Sequence, residues 1–472
     1  MKKNINYLFV ALLPLMMAAS CSKDFTDTAP SDSVNVDKAL NTEADMQTAL
    51  NGMYASLRST SLFGNALLVE GDLLADNSFV ETNNSGRYIT SYQYNFIAED
   101  GELGQIWRAA YTSILNANFI INARLSGTRA MQLKAQAHAI RALLYFKLVN
   151  LYARPYTDNA NGLGVPLVLT YDAYKLPARN TVTEVYAQII KDLQTASANA
   201  PEFTTSITIS KWAIQALLAK VYLYMGNNSM AKTTALTVIN SSGFALVSAA
   251  DFAAYWVSPA AQTTKVETLF EVDADIVTNN GYEDIAFLYN GYSDVYASVQ
   301  LYNLYAATDV RRELIVPGTT KSGAPAYLIN KFPNAQSPDR DNLKVIRLAE
   351  VYLIAAEASL PTGEADARTY LNAVATLRDP SFTGYTATTG TDLLNAIVEE
   401  RRKELAFEGD RFSDLNRLKR DIVRSQNAGA IQAGTANANL TIPYSSRRRV
   451  LPIPLTEILA NVTIAGQQNP GY

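Results

Sequence analysis

Cysteine and histidine are nearly absent from this sequence, which has one of each in 472 residues. A single cysteine excludes an internal disulfide framework and any CxxC metal or redox site. A single histidine excludes the zinc and iron sites that need two histidine ligands. Tryptophan is also scarce, with 3 residues against 27 tyrosines. Tyrosine is therefore the main aromatic residue of this chain.

An excess of positive charge is also missing, because 40 Lys and Arg face 44 Asp and Glu, a net charge of −4. Nucleic-acid-binding proteins need clustered basic residues, so this composition disfavours that class. The sequence is 48% hydrophobic and 18% charged, which is typical of a globular protein. Beyond the N-terminus no run of about 18 uncharged apolar residues occurs, so no membrane-spanning helix is predicted.

The N-terminus has the pattern of an export signal. Two lysines precede a short apolar run over residues 7–19, and small residues follow. Ala18-Ala19-Ser20-Cys21 resembles a bacterial lipobox, with Ala18 where Leu is usual. We predict a signal peptide over residues 1–20, an acylated Cys21, and a polar tether over residues 21–37. The alternative is an ordinary signal peptide with an incidental cysteine.

The body of the chain is predicted to be mostly helical. Apolar residues recur every three or four positions in long blocks, and helix-ending signals follow these blocks. A threonine with an acidic residue three positions later marks the first helix start at Thr42. The predicted helices span about 42–57, 104–124, 129–152, 182–199, 210–225, 229–241, 344–359, 363–378 and 391–408.

Two of these helices share a sequence pattern. Residues 219–223 and 349–353 both read Ala, charged, Val, Tyr, Leu, and each block is followed by a second helix rich in alanine. Paired helices with Ala and Tyr at their crossing faces are typical of tetratricopeptide-type repeats. Short apolar runs at 165–170, 268–272 and 449–454 are predicted to be brief strands or extended segments.

Two stretches break the helical pattern. Residues 244–340 are rich in Gly, Asn, Ser, Pro and aromatic residues, and residues 76–100 have a similar composition. Long segments without regular structure inside a compact fold are usually functional or disordered. Their aromatic content argues against disorder. We therefore expect these two stretches to carry function.

A series of sequence motifs runs in order over more than 400 residues. The motifs are the lipobox, Ala49-Leu50-Asn51-Gly52-Met53-Tyr54, Gly71-Asp72-Leu73-Leu74-Ala75-Asp76-Asn77, Trp107 with Tyr111, Arg154-Pro155-Tyr156, Arg347-Leu348-Ala349-Glu350, Glu400-Arg401-Arg402-Lys403-Glu404-Leu405-Ala406-Phe407-Glu408-Gly409 and Asn469-Pro470-Gly471-Tyr472. With these motifs, most of the chain resembles the SusD/RagB family of outer-membrane lipoproteins of Bacteroidetes. One departure is Asp410, where the family often has His.

The resemblance implies a fold and a partner. It implies a single domain over residues 38–472, with a tetratricopeptide-like helical scaffold at about 38–243 and 341–472 and a loop-rich insertion at about 244–340 that carries short strands. It also implies a lipid-anchored protein at the cell surface of the outer membrane. The implied partners are an oligosaccharide and a SusC-type TonB-dependent transporter.

Several charged residues are candidates for catalysis or metal binding. Glu399–Arg411 is dense in charge, but we interpret it as an ion-pair network between helices, because nearby arginines would lower the pKa of a general acid. His138 is interpreted as a packing residue, since no nucleophile motif accompanies it. Asp72 and Asp76 lie outside any Ca²⁺-loop motif, so no metal is predicted. Residues 447–449 are predicted to form a solvated basic loop.

The loop tyrosines are the candidate ligand-binding residues. Sugars offer apolar C–H faces and hydroxyl groups, which suit flat aromatic rings bordered by amides, carboxylates and arginines. Helical tyrosines such as Tyr145, Tyr222 and Tyr352 are instead predicted to pack in the core. The resemblance places ligand contacts on an early loop and a central insertion, where such residues cluster. The predicted ligand-binding residues are Asn83, Asn84, Arg87, Tyr88, Tyr92, Tyr94, Tyr289, Tyr292 and Tyr296.

The leading hypothesis is therefore a glycan-binding protein rather than an enzyme, without a cofactor or metal. A surface glycan hydrolase is one alternative, which needs a carboxylate pair in a cleft. A periplasmic solute-binding lipoprotein is another, which needs two α/β lobes. A helical-repeat adaptor without a small-molecule ligand is the third.

Overall fold

The computed structural model describes residues 40–431 and 440–472. The predicted signal peptide, Cys21 and nearly all of the region before the first helix lie outside the described residues. The helices are α1 Glu43–Leu57, α2 Ala66–Leu73, α3 Ile89–Gln93, α4 Gly101–Asn122, α5 Thr128–Tyr152, α6 Tyr156–Asn159, α7 Val182–Asn199, α8 Lys211–Tyr224, α9 Asn228–Ser241, α10 Phe252–Val257, α11 Ile285–Phe287, α12 Val299–Tyr302, α13 Leu348–Ser359, α14 Glu364–Arg378, α15 Gly390–Glu404, α16 Arg411–Arg417 and α17 Leu455–Ala460. The strands are β1 Ser78–Val80, β2 Thr268–Val272, β3 Val295–Ala297, β4 Ile315–Thr319, β5 Pro325–Ile329, β6 Leu343–Arg347, β7 Ile422–Val423 and β8 Thr441–Ile442.

The long helices form a layered scaffold of neighbouring pairs. In chain order α4 packs on α5, α5 on α7, α7 on α8, and α8 on α9. Helix α9 then packs directly on α13, although about 100 residues separate them in sequence, and α13 packs on α14 and α15. The prediction of a mostly helical protein with paired helices is confirmed. The chain therefore leaves the helical scaffold after α9 and re-enters it at α13, which lies beside α9.

Helix starts follow the expected local chemistry. The Thr42 hydroxyl accepts a hydrogen bond from the Asp45 backbone N–H at 3.1 Å, and Asp45 accepts one from the Thr42 N–H at 3.0 Å. This reciprocal capping box satisfies backbone donors that the first helical turn leaves free. The cap predicted at Thr42 is confirmed.

Two predicted helices have different bounds. The helix predicted over 344–359 begins at Leu348, because residues 343–347 form β6 and pair antiparallel with β2. The helix predicted over 391–408 ends at Glu404, and Phe407 after it has a left-handed backbone (φ 65°). The strand predicted at 268–272 is confirmed, whereas 165–170 and 449–454 form no strand.

A four-stranded antiparallel sheet joins the two stretches that break the helical pattern. Its strand order is β1–β3–β5–β4. Ser78 in β1 faces Ala297 in β3, and Val80 faces Val295. Strand β1 precedes most of the scaffold in sequence, whereas the other three strands lie between α9 and α13. The sheet therefore fixes the early loop against the central segment.

The core of the scaffold contains the helical tyrosines. Tyr145 is fully buried, and its hydroxyl donates to the Val168 carbonyl at 2.9 Å. Tyr222 is also buried, and Tyr352 is partly buried against the core. Their predicted packing role is confirmed.

Candidate functional site

The early loop and the central segment meet at one end of the sheet. In an antiparallel pair, the residues that follow one strand lie beside those that precede its partner. The residues after β1 therefore approach the residues before β3. Contacts join the two segments directly, since the Ser85 N–H donates to Asp294 Oδ1 at 3.0 Å. The two groups of predicted residues are thus brought together.

Arg87 links the two segments at the surface. Its guanidinium lies 3.9 Å from the ring centroid of Tyr292 and forms an ion pair of 3.0 Å with Glu283. It also donates to the Ser85 hydroxyl at 2.7 Å. Such a cation over a ring is attractive and orients both groups. The Arg87 side chain remains 27% exposed, so it is also accessible from solvent.

Three aromatic rings continue from Arg87 across this surface. The ring of Phe287 packs edge-on against Tyr292 at 5.1 Å and against Tyr282 at 4.8 Å. Tyr282 is 68% exposed. Gly291 permits this packing, because a Cβ at this position would lie 2.6 Å from the Phe287 ring. We call Arg87, Tyr282, Glu283, Phe287 and Tyr292 the Arg87–Tyr292 surface.

The backbone beside this surface has unusual conformations. Tyr88 follows Arg87 with φ 59°, and Ser293 follows Tyr292 with φ 53°. Residues other than glycine rarely adopt positive φ, and such residues cluster at binding sites. A π-helical turn over Leu288–Tyr292 precedes Ser293. Irregular turns of this kind are also frequent at functional sites.

The early-loop tyrosines lie beneath the surface. Tyr88, Tyr92 and Tyr94 are all buried. The Tyr88 hydroxyl donates to Asn65 Oδ1 at 2.6 Å, and the Tyr94 hydroxyl donates to the Leu74 carbonyl. In this structure they anchor the loop and offer no ring face to solvent, which corrects their placement in the predicted ligand surface.

The same correction applies to Tyr289 and Tyr296. Both are 2% exposed. Tyr289 stacks on Phe332 with a centroid distance of 6.2 Å, and Tyr296 stacks on Phe79 at 5.8 Å. These tyrosines support the central segment from below. Tyr292 is the one predicted tyrosine whose side chain reaches the surface.

The predicted asparagines differ in their availability. Asn84 donates from its side chain to the Glu81 carbonyl at 2.6 Å and accepts from the Gly86 N–H at 2.7 Å, so it shapes its own loop. Asn83 is exposed.

The sequence did not predict Tyr282, Glu283 and Phe287 as site residues. The signal for Tyr282 was its position after the turn-forming residues Asn279, Asn280 and Gly281.

The charge-rich segment from Glu399 to Arg411 is a buried ion-pair network. Glu404 pairs with Arg347 at 2.8 Å, Arg311 at 3.0 Å and Arg378 at 3.2 Å. We call these four residues the Glu404 cluster. Burial alone would raise the pKa of Glu404, but the three guanidinium groups hold it well below its usual range. Glu404 is therefore unsuited to act as a general acid, and the predicted network is confirmed.

Other candidate catalytic and metal-binding groups are also occupied. His138 Nδ1 lies 2.7 Å from Asp192 Oδ1, which also pairs with Arg141. Asp72 accepts from the Gly409 N–H at 2.8 Å, and Asp76 pairs with Arg411 at 2.8 Å. In the part of the chain that the structure describes, no group of three or more His, Cys, Asp or Glu could hold a metal ion.

The basic run at residues 447–449 differs from its prediction as a solvated loop. Arg449 is buried, and its guanidinium donates to Asn416 Oδ1 at 2.8 Å and to the Arg420 carbonyl at 3.0 Å. Arg448 donates to the Phe96 carbonyl at 2.7 Å. Only Arg447 of the three is exposed. The run therefore ties the C-terminal region to the scaffold.

Comparisons with known proteins match nearly the whole chain. Residues 24–223 match the family described as "Starch-binding associating with outer membrane", and residues 318–472 match the family described as "SusD family". The SusD-like protein P2 of Formosa agariphila is 31% identical, and the match covers 91% of this chain and 93% of that protein. Across residues 40–431 and 440–472, no helix is both long and apolar enough to cross a membrane.

Solved structures show the same fold. A SusD superfamily protein from Bacteroides thetaiotaomicron is 31% identical, with a TM-score of 0.83, covering 91% of this chain and 100% of that chain. A laminarin-binding SusD-like protein is 26% identical, with a TM-score of 0.71, covering 91% of this chain and 99% of that chain.

Proposed function

The chain belongs to the SusD/RagB family, and on that premise we propose that it binds an oligosaccharide at the Arg87–Tyr292 surface and delivers it to a SusC-type TonB-dependent transporter. The family is associated with the outer membrane and with glycan binding. The transporter, the surface location and the choice of residues are parts of this proposal.

One observation supports the placement of the ligand. The exposed ring of Tyr282 and the ring of Tyr292 under Arg87 lie side by side with Phe287 between them. Aromatic rings contact the apolar faces of sugars, while Arg87 and Glu283 supply hydrogen-bonding groups for hydroxyls. The laminarin-binding relative is consistent with a glucan as the first ligand to try.

The membrane anchor in this proposal is the acylated Cys21. More than one acyl chain is needed for stable anchoring, and a lipoprotein cysteine carries several. Replacing Cys21 by Ala is expected to move the protein from the membrane fraction into the soluble fraction. Retention of the variant in the membrane fraction would contradict the lipid anchor.

We propose binding without bond cleavage. A glycosidase needs two carboxyl groups about 5–10 Å apart that flank the substrate, one of them with a raised pKa. Arg311 and Lys403 hold the pKa of Glu400 below its usual value although burial acts in the opposite direction, and Glu404 is likewise paired. Release of reducing sugar from a polysaccharide panel by the purified protein would contradict this part of the proposal.

The binding site can be tested by titration calorimetry with laminarin oligosaccharides, after a glycan array if laminarin does not bind. Tyr292→Ala and Arg87→Ala are each expected to weaken binding by about tenfold or more, since each removes one side of the cation–ring contact. The matched control is Tyr174→Ala, because Tyr174 is 94% exposed outside the surface. Wild-type affinity in both site variants would show that the ligand binds elsewhere.

The transporter partnership needs a separate experiment. Purification of the full chain from its native membrane is expected to recover a large β-barrel protein of the TonB-dependent class. Recovery of the barrel without glycan binding by the chain would favour the adaptor hypothesis instead.

A further inference from the structure

A cavity of about 660 Å³ lies between the region after α5 and the C-terminal residues. Its lining includes Arg154, Asp158, Arg179, Tyr444, Arg447 and Asn469. We call it the tail cavity. It shares no lining residue with the Arg87–Tyr292 surface, and its volume is within the range of small-ligand sites, roughly 300–1,000 Å³. It is therefore a separate place where a ligand could bind.

Arg179 brings an unpaired charge to this cavity. Its guanidinium is buried and donates only to neutral oxygens. These acceptors are the carbonyls of Tyr152, Leu163, Gly164 and Gln467 and the side-chain oxygen of Asn469. Burial lowers the pKa of Arg179 to about 10. Its hydrogen bonds are satisfied, but its positive charge is not neutralised by a carboxylate among the described residues.

Arg154 is held in a similar way. It donates to the Tyr444 carbonyl at 2.9 Å and to the Ser446 carbonyl at 3.0 Å. Its guanidinium also lies 5.4 Å from the Tyr444 ring centroid. These two hydrogen bonds use two of its five N–H donors, so donors remain for a ligand.

Arg447 is the most accessible cation of the cavity. It is exposed, and its guanidinium has no hydrogen bond or ion pair within the described ranges. Its side chain crosses Gly471 so closely that a Cβ there would lie 2.2 Å from Arg447 Cδ. Gly471 also has φ +99°, which favours glycine. The tail therefore packs against the Arg447 side chain from Cδ to the guanidinium carbon, and no acceptor among the described residues bonds its N–H groups.

The charge balance of the tail cavity is positive. Asp158 is the one acidic residue in its lining, and this carboxylate lies 3.4 Å from Lys419 Nζ. Burying unpaired charge is costly, whereas a bound anion would offset the arginines. Arginine is also well suited to carboxylate and sulfate groups, because its planar fork can donate two parallel hydrogen bonds.

We propose that the tail cavity is a second ligand site, which binds the acidic group of an oligosaccharide. The group is a uronate carboxylate or a sulfate ester, held by Arg447 and Arg154. Asn159 and Tyr444 line the same cavity and can contact the neutral part of the sugar. This site adds a preference for acidic sugars that the Arg87–Tyr292 surface does not require.

The test uses the full chain and three probes in titration calorimetry at low and moderate salt. The probes are trigalacturonic acid, its methyl ester, and a sulfated κ-carrageenan tetrasaccharide. Binding of either acidic probe, with an affinity that falls as salt rises, is the expected result, and the methyl ester should bind at least about tenfold more weakly than the free acid. Comparison of the two acidic probes identifies which anion the site takes.

Arg447→Gln is the decisive variant, because Arg447 holds no ion pair whose loss would unfold the protein. It is expected to weaken acidic binding about tenfold or more and to reduce the salt dependence. The matched control is Arg124→Gln, an exposed arginine outside the cavity with the same change in net charge. This control should bind like the wild type.

Four results would overturn the proposal. They are equal binding of the acid and its ester, no binding of either acidic probe, wild-type affinity in Arg447→Gln, and an equal loss in Arg124→Gln. Arg87→Ala separates this site from the first: it should leave acidic binding intact. Acidic binding that persists while neither laminarin nor any neutral glycan of the array binds would contradict the proposed function and support the tail cavity.

Discussion

The Glu404 cluster and the Arg87–Tyr292 surface are made of the same kinds of group. In the cluster, Arg347 pairs with Glu404 at 2.8 Å and its guanidinium lies 5.3 Å from the Trp256 ring centroid. At the surface, Arg87 pairs with Glu283 at 3.0 Å and lies 3.9 Å from the Tyr292 ring centroid. The side chains of Arg347 and Glu404 are at most 1% exposed, whereas those of Arg87 and Glu283 are 27% and 50% exposed.

This difference shows that solvent exposure, and not residue type, distinguishes the buried network from the proposed binding surface. Inside the scaffold, carboxylates neutralise the arginines and water is excluded, so the groups fix helices against each other. At the surface, the same contacts are weaker and leave ring faces and hydrogen-bonding groups open to a ligand.

Glu404→Gln should destabilise the protein most. It leaves Arg311, Arg347 and Arg378 buried without their shared carboxylate, which costs about 3–5 kcal/mol of unfolding free energy. Urea denaturation followed by circular dichroism measures this loss. Glu283→Gln is the surface counterpart and should cost less than about 1 kcal/mol, since exposed ion pairs contribute little. Equal losses in the two variants would contradict the contrast.

Asp410→Asn should change the response of the scaffold to acid. Burial favours the neutral form of Asp410, but Lys147 and Lys220, at 3.1 and 2.6 Å, hold its pKa well below its usual value. This pairing stabilises the fold above about pH 4, and its contribution is lost as pH falls through the folded-state pKa. Unfolding free energy should therefore fall more steeply between pH 5 and 3 in the wild type than in Asp410→Asn. Parallel curves would contradict this assignment.

Gly291→Ala should disturb the surface more than the scaffold. The new Cβ would overlap the Phe287 ring, which then has to leave its place between Tyr282 and Tyr292. Overpacking of this kind costs about 1–3 kcal/mol. We also expect laminarin binding to weaken, as measured by calorimetry. Unchanged affinity together with reduced stability would show that the ring order is not needed for the ligand.

Tyr94→Phe should lower stability by about 1 kcal/mol without changing glycan affinity. The variant leaves the Leu74 carbonyl without the hydroxyl donor, while the ring keeps its buried position. Thermal unfolding and calorimetry on the same sample measure the two effects. A clear loss of affinity at unchanged stability would restore Tyr94 to the ligand surface.

Tyr289→Phe should have almost no effect on stability, within about 0.5 kcal/mol, or a slightly stabilising one. The Tyr289 hydroxyl is buried and has no hydrogen-bond partner among the described residues. Its removal relieves an unsatisfied polar group and keeps the ring stacked on Phe332. A loss above 1 kcal/mol in urea denaturation would mean that this hydroxyl has a partner in solution.

The scaffold was predictable where local signals decide the structure. Thr42 and Asp45 are three positions apart, so their cap is visible in the sequence, as is the helical spacing around Tyr145 and Tyr222. Residues 344–347 were assigned to a helix because their strand partner, β2, lies more than 70 positions away. Pairing with a distant strand overrides local periodicity, and sequence spacing does not reveal it.

The two loops that form the site could be predicted from the sequence, but the burial of several individual side chains could not. The two loops were identified, and Arg87 and Tyr292 meet there. Tyr92 and Arg449 were placed at the surface because their neighbours are polar, yet both are buried by distant segments. The Tyr92 ring lies 4.7 Å from the Arg424 guanidinium, a contact between residues more than 300 positions apart. Local polarity alone did not indicate such burial.

The pairing of β1 with β3 has a consequence for exchange of ligand preference between related proteins. Arg87 and Glu283, which meet at the surface, are 196 positions apart in the chain. A graft of the segment between α9 and α13 alone would bring in new rings without the loop that supports them. Recombination or engineering therefore has to transfer both the loop after β1 and the central segment, because each supplies half of the proposed binding surface.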